Sequence, residues 1–224
     1  PFMESVMWAF KQCYDKGLIY RDYRVAPYCM HCETSLSISD TRESDATRPR
    51  QDRWVMTRFA TTETLQDKPV YLLAWTTTPW TLPSNMCLAV GPSLSYAFVE
   101  VADSILIACV DTLGQFLKVF GDSPKVLATC LGSDLVGWTY TPLFDYFSGL
   151  KDQGAFRVVG ADYVGAEDGV GIVHVAPAFG EEDYWACKQH GVPLVNPVDE
   201  KGRFTAEVSD FYEVCQDKNV IDMN

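Results

Sequence analysis

TTTPWTLPSN, residues 76–85, is the stretch around which the chain is organised, and it follows the apolar run YLLAW at residues 71–75. Threonine is β-branched and favours extended backbone, whereas the two prolines interrupt a strand and favour a turn. The stretch therefore predicts the end of a strand, where several hydroxyl groups are held with little side-chain flexibility. Such a strand end is suited to form one wall of a polar pocket.

A second segment, GVGIVHVAPAFGEEDY at residues 169–184, has the composition expected of the opposite wall. A single histidine in strand-like text, such as His174, is most often a core residue with satisfied hydrogen bonds. Here, however, Pro177 ends the strand, a small apolar turn follows, and three consecutive acids at 181–183 open a helix. Acids in a first helical turn complement the helix dipole, which accounts for some of them. A carboxylate held there beside His174 would be placed to bind a substrate ammonium group.

The remaining sequence predicts an α+β fold with a mostly antiparallel, β-barrel-like sheet and peripheral helices. Short runs rich in β-branched and aromatic residues recur between turn signals, at the spacing typical of such sheets. The predicted strands are 54–60, 71–76, 87–90, 96–101, 104–110, 125–130, 156–160 and 171–175. The predicted helices are an amphipathic opening helix at 1–16, two further helices at 110–120 and 181–190, and a short helical turn at 132–137.

Three regions are predicted along the chain. Residues 1–52 combine the opening helix, a segment at 18–28 that is expected to be extended, and a cysteine pair. Residues 53–209 form the barrel-like core, which includes a hairpin-like turn at Lys201 and Gly202. Residues 210–224 are polar and are expected to fray, as chain ends commonly do.

The composition excludes several classes of protein. Hydrophobic residues make up 47% of the 224 residues and charged ones 21%, which is typical of a globular protein with a sizeable core. No run approaches the roughly 18 apolar residues of a membrane span. The net charge of −12 disfavours broad binding to a nucleic-acid backbone, so any such contact should be local. The basic cluster at 42–53 is interpreted as a solvated loop rather than a phosphate-binding patch.

The cysteines favour a reducing compartment, because the eight of them are neither dense nor regularly spaced. With no initiator methionine and no signal-peptide pattern, we expect an excised piece of a longer cytoplasmic protein. Cys29 and Cys32 form the one close pair, which is half of a zinc-ribbon signature. A complete site needs two more ligands, whereas Cys215 stands alone and His31 is constrained between the two thiols. A zinc ion with ligands outside the fragment and a metal-free structural knuckle both stay open.

A cysteine nucleophile is a further alternative, in which a thiol would pair with His174 or His190. Cys87, Cys109 and Cys130 lie in apolar, strand-like sequence, where a free cysteine is usually inert filling. The sequence does not bring any of them next to a base. A third class of function, a non-catalytic zinc-stabilised binding module, would use only the cysteine pair and leave the threonines as a simple strand end.

Residues 76–85 and 171–184 together resemble the two signature peptides of the editing domain that is inserted in isoleucyl-tRNA synthetases. The two motifs occur in the order and at about the separation typical of that family. Pro79-Trp80 and Phe179-Gly180 favour the isoleucyl branch over the sister valyl and leucyl enzymes, which stay an alternative. The resemblance covers nearly the whole chain, with the opening helix and Cys29/Cys32 similar to the base of the insertion.

The resemblance implies hydrolysis of valine wrongly attached to the isoleucine tRNA, by water attacking the aminoacyl ester. Valine and isoleucine differ by one methylene, which a single pocket discriminates by only about 1–3 kcal/mol, so a second, size-excluding site is needed. The implied partners are the tRNA acceptor end carrying valine and the remainder of the synthetase, with the fragment itself a monomer. The resemblance implies no cofactor for editing, and ATP only at a synthetic site outside this chain.

The resemblance also assigns roles to individual residues. Asp183 matches the family carboxylate that binds the α-ammonium group, with Glu182 as the second choice. Thr76, Thr77 and Thr78 match the peptide that binds substrate and terminal adenosine and helps to place the water.

His174 matches the family histidine that lines the side-chain pocket and limits its size, so it is not interpreted as a general base. Ala176, Pro177 and Phe179 are expected to complete the apolar wall. Trp80, also assigned to substrate binding, and Asn85 are interpreted as structural supports. One departure from the family pattern is Val170, which stands where a threonine is usual and leaves the polar contribution of that position open.

Overall fold

The structure, a computed structural model, describes residues 1–116, 125–167, 169–215 and 218–222. Helix α1 (Phe2–Asp15) comes first and is followed by the hairpin of β1 (Tyr28–Cys29) and β2 (Thr34–Ser35). The strands of the main sheet are β3 (Val55–Leu65), β4 (Lys68–Thr76), β5 (Cys87–Val90), β6 (Ser95–Val101), β7 (Ser104–Cys109), β8 (Lys125–Leu131), β9 (Arg157–Gly160) and β10 (Ile172–Val175). The later α-helices are α2 (Gly132–Leu135), α3 (Glu181–His190) and α4 (Ser209–Val214). Short 3-10 helices cover Asp40–Arg42, Pro79–Ser84, Val110–Phe116, Asp145–Gln153 and Ala206–Val208.

The main sheet is mixed and curls into a half-barrel. Its strand order is β8-β6-β7-β4-β10-β5-β9, and β3, which lies outside this order, pairs antiparallel with β4. Among the described residues, four pairings are antiparallel and three are parallel. Single bridges from Thr61 to Tyr140 and from Thr139 to Arg157 connect β3 to β9 through the segment at 139–140. The predicted α+β, barrel-like fold is therefore confirmed.

The barrel interior holds most of the core. Phe59, Leu72, Leu88 and Ile107 are all fully buried. Strand β5 is buried at every position, as expected of a strand that is covered on both faces. Tyr140 enters the same core from the segment that closes the barrel, with its ring edge-on to Phe59 at a centroid distance of 5.2 Å.

Most predicted elements are confirmed. All eight predicted strands are present, with β3 extending to Leu65, and α3 has the predicted bounds. The predicted turn at 132–137 contains α2, and an antiparallel bridge between Val198 and Phe204 flanks the predicted hairpin turn.

Three other segments differ from the prediction or exceed it. The helix predicted at 110–120 is a 3-10 helix over Val110–Phe116, and residues 117–120 lie outside the described residues. The segment predicted to be extended at 18–28 runs into β1, which pairs with β2, and neither strand was predicted. The segment 210–224 includes most of α4 and the buried Val220, with 216–217 and 223–224 outside the description.

The opening helix α1 forms as predicted, yet none of its residues is buried. Its large apolar side chains face outward, with Phe2 81% and Trp8 65% exposed. A 14-residue helix without packed contacts is marginal in water. Among the described residues, no helix is long and apolar enough to cross a membrane.

Candidate functional site

A cleft of about 290 Å³ lies where β4 and β10 end side by side. The two strands run parallel, with Trp75 paired to Val173, so the residues that follow each strand meet at one edge of the sheet. The cleft is lined by Trp75, Thr76, Thr77, Thr78, Thr81, Gly169, Ile172, Val173, His174, Ala176, Phe179 and Asp183. The two sequence segments that were predicted to form opposite walls therefore do face each other.

The threonine wall is fixed by local hydrogen bonds. Oγ1 of Thr76 accepts the backbone N–H of Thr78 at 3.1 Å and lies 3.3 Å from the Thr78 hydroxyl. Pro79 then begins a 3-10 helix over Pro79–Ser84, in which the Thr81 hydroxyl donates to the carbonyl oxygen of Thr78 at 2.8 Å. Thr76 is buried, whereas Thr77 and Thr78 are exposed at the cleft.

The acidic wall is Asp183, which lies in the first turn of α3. Its Oδ2 accepts the backbone N–H of Ala176 at 2.9 Å, so the carboxylate is held against the end of β10. Gly180 permits this approach, because a Cβ at that position would lie 2.9 Å from Cγ of Asp183. Burial, and to a lesser extent the charge of Glu182, raises the pKa of Asp183 to about 6. A half-buried carboxylate of this kind gains from an incoming cation, which would stabilise its charged form.

The turn of backbone before β10 depends on glycine. Gly171 has φ +73°, and a Cβ there would lie 2.3 Å from Cβ of Cys109. The neighbouring Val170 is buried in an apolar cluster with Leu73 and Leu106, and its carbonyl oxygen accepts the N–H of Cys109 at 2.8 Å. Val170 does not line the cleft, so the position that departs from the family pattern packs in the core.

His174 is buried, at 7% exposure, and both of its ring nitrogens are hydrogen-bonded. Nδ2 of Asn85 lies 2.8 Å from Nδ1 of His174 and 3.0 Å from the carbonyl oxygen of Cys87. Since Nδ2 can only donate, Nδ1 of His174 must be the acceptor. The proton of the neutral ring is then on Nε2, which lies 2.9 Å from Oγ1 of Thr81 and donates to it.

Burial lowers the pKa of His174 to about 4. The imidazole is therefore neutral at physiological pH, and its single N–H is already donated to Thr81. With Nδ1 occupied by Asn85, neither nitrogen is free to take a proton from water. The arrangement suits a rigid wall and does not suit a general base.

The predicted site residues are mostly together in this cleft. Seven of them line it, namely Thr76, Thr77, Thr78, His174, Ala176, Phe179 and Asp183. Glu182 is exposed and does not line it. Trp80 contacts the ring of Phe179 edge-on at 4.8 Å but lines a separate, larger groove, and Pro177 lines neither.

Two residues of the hydrogen-bond chain were not predicted. Thr81 connects His174 to the threonine peptide. The sequence offered a signal for this contact, because Thr81 follows Thr78 by three residues and a threonine hydroxyl in a helical turn can bond a preceding carbonyl. Tyr140 donates its hydroxyl to Oδ1 of Asn85 at 2.6 Å from a position 55 residues away, for which the sequence gives no signal.

The cysteines of the core have the environment of inert thiols. Sγ of Cys87 lies 3.7 Å from Sγ of Cys187, and both residues are buried. This contact and burial raise the pKa of Cys87, and burial raises those of Cys109 and Cys130. All eight cysteines are free, and none of them lines the cleft.

Cys29 and Cys32 lie away from the cleft, at the β1–β2 hairpin, where Sγ of Cys29 accepts the N–H of Cys32 at 3.4 Å. This turn can present two sulfur ligands. Within the described ranges, however, no group of three or more His, Cys, Asp or Glu side chains could hold a metal ion. A tetrahedral zinc site would therefore need ligands beyond these ranges.

Comparison with known proteins gives a consistent assignment. The isoleucine–tRNA ligase of Corynebacterium diphtheriae is 46% identical over 226 residues, covering 94% of this chain and 21% of the relative. That of Bdellovibrio bacteriovorus is 44% identical over 212 residues, covering 94% and 20%. The chain thus spans about a fifth of the length of these relatives.

The fold has a counterpart among solved structures. The crystal structure of GlLeuRS-CP1 aligns with a TM-score of 0.52 and 14% identity, covering 76% of this chain and 92% of that one. At this identity the likeness concerns the fold alone. Residues 1–197 match the family described as tRNA synthetases class I (I, L, M and V). The chain therefore belongs to the class I tRNA synthetases.

Proposed function

We propose that the chain is the editing domain of an isoleucyl-tRNA synthetase, and that its cleft hydrolyses valine from wrongly charged isoleucine tRNA. The two curated relatives described above are isoleucine–tRNA ligases, which supports this branch of the family. The observation that carries the proposal is the cleft itself, in which a carboxylate, a row of threonine hydroxyls and a neutral buried histidine converge. The carboxylate suits the α-ammonium group of an aminoacyl ester, the threonine hydroxyls suit the adenosine and the attacking water, and the histidine suits the amino-acid side chain.

In the proposed reaction, the α-ammonium group binds Asp183, and this contact lowers the pKa of the carboxylate again. The amino-acid side chain packs against His174, Ala176 and Phe179. The hydroxyls of the threonine peptide hold the terminal adenosine and orient a water molecule toward the ester carbonyl. Orientation is the main contribution, because an aminoacyl ester is already activated and a positioned water needs no protein nucleophile.

Discrimination in this scheme is by size. A single pocket separates two side chains that differ by one methylene only about 10- to 200-fold, so a second pocket must reject the larger one. His174 is suited to this task, because hydrogen bonds to Thr81 and Asn85 prevent the ring from swinging away. A wall that cannot move excludes isoleucine more strongly than a flexible side chain would.

The proposed partners are the acceptor end of a charged tRNA and the rest of the synthetase. With a net charge of −12, the chain alone should bind tRNA weakly, since phosphate contacts require Lys and Arg. The editing reaction itself is proposed to need no cofactor.

The test uses the full-length protein that carries this chain, with valyl-tRNA of the isoleucine type as substrate. Asp183→Ala should reduce deacylation at least 30-fold, because losing one partner of a buried charge pair costs about 2–5 kcal/mol. Glu181→Gln is the matched control, since this carboxylate lies in the same helical turn but is exposed and away from the cleft. Equal deacylation by wild type and Asp183→Ala would refute the proposed function.

A further inference from the structure

Tyr140 lies outside the cleft and nevertheless begins the hydrogen-bond chain that ends in it. The residue is 2% exposed, and its ring is held edge-on by Phe59 at 5.2 Å and by Phe156 at 6.2 Å. Its backbone N–H donates to the carbonyl oxygen of Phe156 at 3.1 Å, at the point where the segment 139–140 closes the barrel. The position of the Tyr140 hydroxyl is therefore set by the barrel.

The direction of every bond in the chain follows from the chemistry of its members. Oδ1 of Asn85 can only accept, so the Tyr140 hydroxyl, 2.6 Å away, is the donor. With its oxygen bound in this way, the amide of Asn85 must direct Nδ2 toward Cys87 and His174. Rotating the amide would bring its oxygen against the carbonyl oxygen of Cys87, which also has no proton to donate.

The far end of the chain is equally determined. Nε2–H of His174 donates to Thr81, whose own hydroxyl proton goes to the carbonyl oxygen of Thr78. Four buried side chains thus have their polar groups satisfied in one order, starting at Tyr140. A fully satisfied buried network of this kind fixes side-chain positions more firmly than packing alone.

We propose that Tyr140 is a positioning residue for the size gate: through Asn85 it fixes the ring of His174 against the cleft, and so contributes to the choice between two amino-acid side chains. Its hydroxyl is the one side-chain donor recorded to Oδ1 of Asn85 among the described residues. Without it, a buried carbonyl oxygen loses its partner, the Asn85 amide is less firmly held, and the imidazole that rests on it can shift.

The first readout is the accessibility of the His174 nitrogens, which does not depend on any activity. Diethylpyrocarbonate acylates unprotonated imidazole nitrogen, and peptide mass spectrometry measures its rate at each histidine of the full-length protein. In wild type, His174 should react at least tenfold more slowly than the exposed His31. In Tyr140→Phe, the rate at His174 should rise at least fivefold relative to His31.

The second readout rests on the proposed editing function. The ratio of deacylation rates for valyl- and isoleucyl-tRNA should fall about fivefold to tenfold in Tyr140→Phe, the range produced by loss of one buried hydrogen bond. Tyr96→Phe is the matched control, because Tyr96 is an equally buried tyrosine of the same core, and the bonds of its hydroxyl to described residues are with backbone groups, the N–H of Gly91 and the carbonyl oxygen of Gly171. It should lose comparable stability and change neither readout.

Each outcome decides the proposal. Unchanged protection of His174 in Tyr140→Phe overturns it, and so does a changed protection with an unchanged ratio. Equal effects from Tyr96→Phe overturn it as well, because the cause would then be general loosening of the core. If wild type does not deacylate valyl-tRNA, the proposed function fails, while the protection of His174 still judges the positioning. If Tyr140→Phe does not fold, the wild-type protein still gives a test. Fast modification of His174 there would refute the proposed hydrogen-bond chain directly.

Discussion

Oγ1 of Thr81 lies 2.9 Å from Nε2 of His174, and this bond joins the two walls of the cleft across 93 residues of sequence. The same hydroxyl donates to the carbonyl oxygen of Thr78 at 2.8 Å. These two hydrogen bonds connect the ring of His174 to the backbone of the threonine peptide. Size selection and water placement, which the resemblance assigns to different residues, share one hydrogen-bonded unit.

Replacing Thr81 with valine should uncouple the two walls. The substitution keeps the shape of the side chain and leaves Nε2–H of His174 without an acceptor, which costs about 1–3 kcal/mol of unfolding free energy. Deacylation of valyl-tRNA should fall about tenfold, because the threonine peptide is no longer tied to the gate. Thr112→Val is a close control, since the buried Thr112 hydroxyl makes the same bond to the carbonyl three residues earlier, away from the cleft. A similar loss of activity in both variants would show that coupling to His174 is irrelevant.

Removing the gate side chain should admit a larger substrate. His174→Ala opens space beside Ala176 and Phe179, so the full-length protein should begin to deacylate its own isoleucyl-tRNA. One methylene is worth about 1–3 kcal/mol in such a pocket, which corresponds to a gain of roughly 10- to 200-fold over wild type. The measurement is the release of labelled isoleucine from isoleucyl-tRNA. Any loss of activity toward valyl-tRNA is measured alongside it as an internal comparison. Continued rejection of isoleucine by this variant would exclude His174 as the gate.

The strands and the helix that carry the site could be predicted from local sequence. β4, β5 and β10 are runs rich in β-branched and apolar residues that are followed within three residues by proline or glycine, and α3 is bounded by Gly180 and Gly191. These signals depend only on backbone conformation and on a few residues that are neighbours in the sequence. Gly191, for example, has φ +64°, where glycine is favoured.

Contacts between distant segments could not be predicted in the same way. The parallel pairing of Trp75 with Val173 and the bond from Tyr140 to Asn85 depend on how the barrel closes. Trp80 shows a different limit: within the 3-10 helix that follows Thr78, a rotation of one position decides whether a side chain faces the cleft or the adjacent groove, and Thr81 rather than Trp80 faces the cleft. The resemblance identified the segments but not this orientation.

The rate of deacylation should depend on the charge of Asp183. The pKa of this carboxyl is about 6, raised first by burial and then by Glu182, so the carboxylate is protonated as the pH falls below 6 and can no longer bind an ammonium group. We expect kcat/KM for valyl-tRNA to rise with pH through about 6 and then to level. Glu182→Gln removes the neighbouring charge and should move the rising limb of this pH profile to lower pH, whereas Glu181→Gln should leave that limb in place. A limb that Glu182→Gln does not move would indicate another titrating group.

The buried histidine should also make the fold sensitive to acid. Its pKa is about 4 in the folded chain, against 6.5 for the free side chain, because burial disfavours the imidazolium. Between these values the unfolded chain binds a proton that the folded chain excludes, so stability falls as the pH is lowered through this window. The loss from pH 7 to pH 4 is on the order of 3 kcal/mol. Asp183 acts in the opposite sense, because its raised pKa makes the folded chain lose stability as the pH rises from 3.8 to about 6.

Comparison of two variants separates these opposing effects. His174→Gln keeps Asp183 and removes only the imidazole, so its unfolding free energy should decline less steeply than that of wild type between pH 6.5 and 4. Urea denaturation of the 224-residue chain at several pH values gives the difference directly. His31→Gln, which removes an exposed histidine, is the control and should follow wild type. If the curves of wild type and His174→Gln were parallel, burial could not be keeping the imidazole neutral, and the account of His174 as a buried, rigid wall would fail with it.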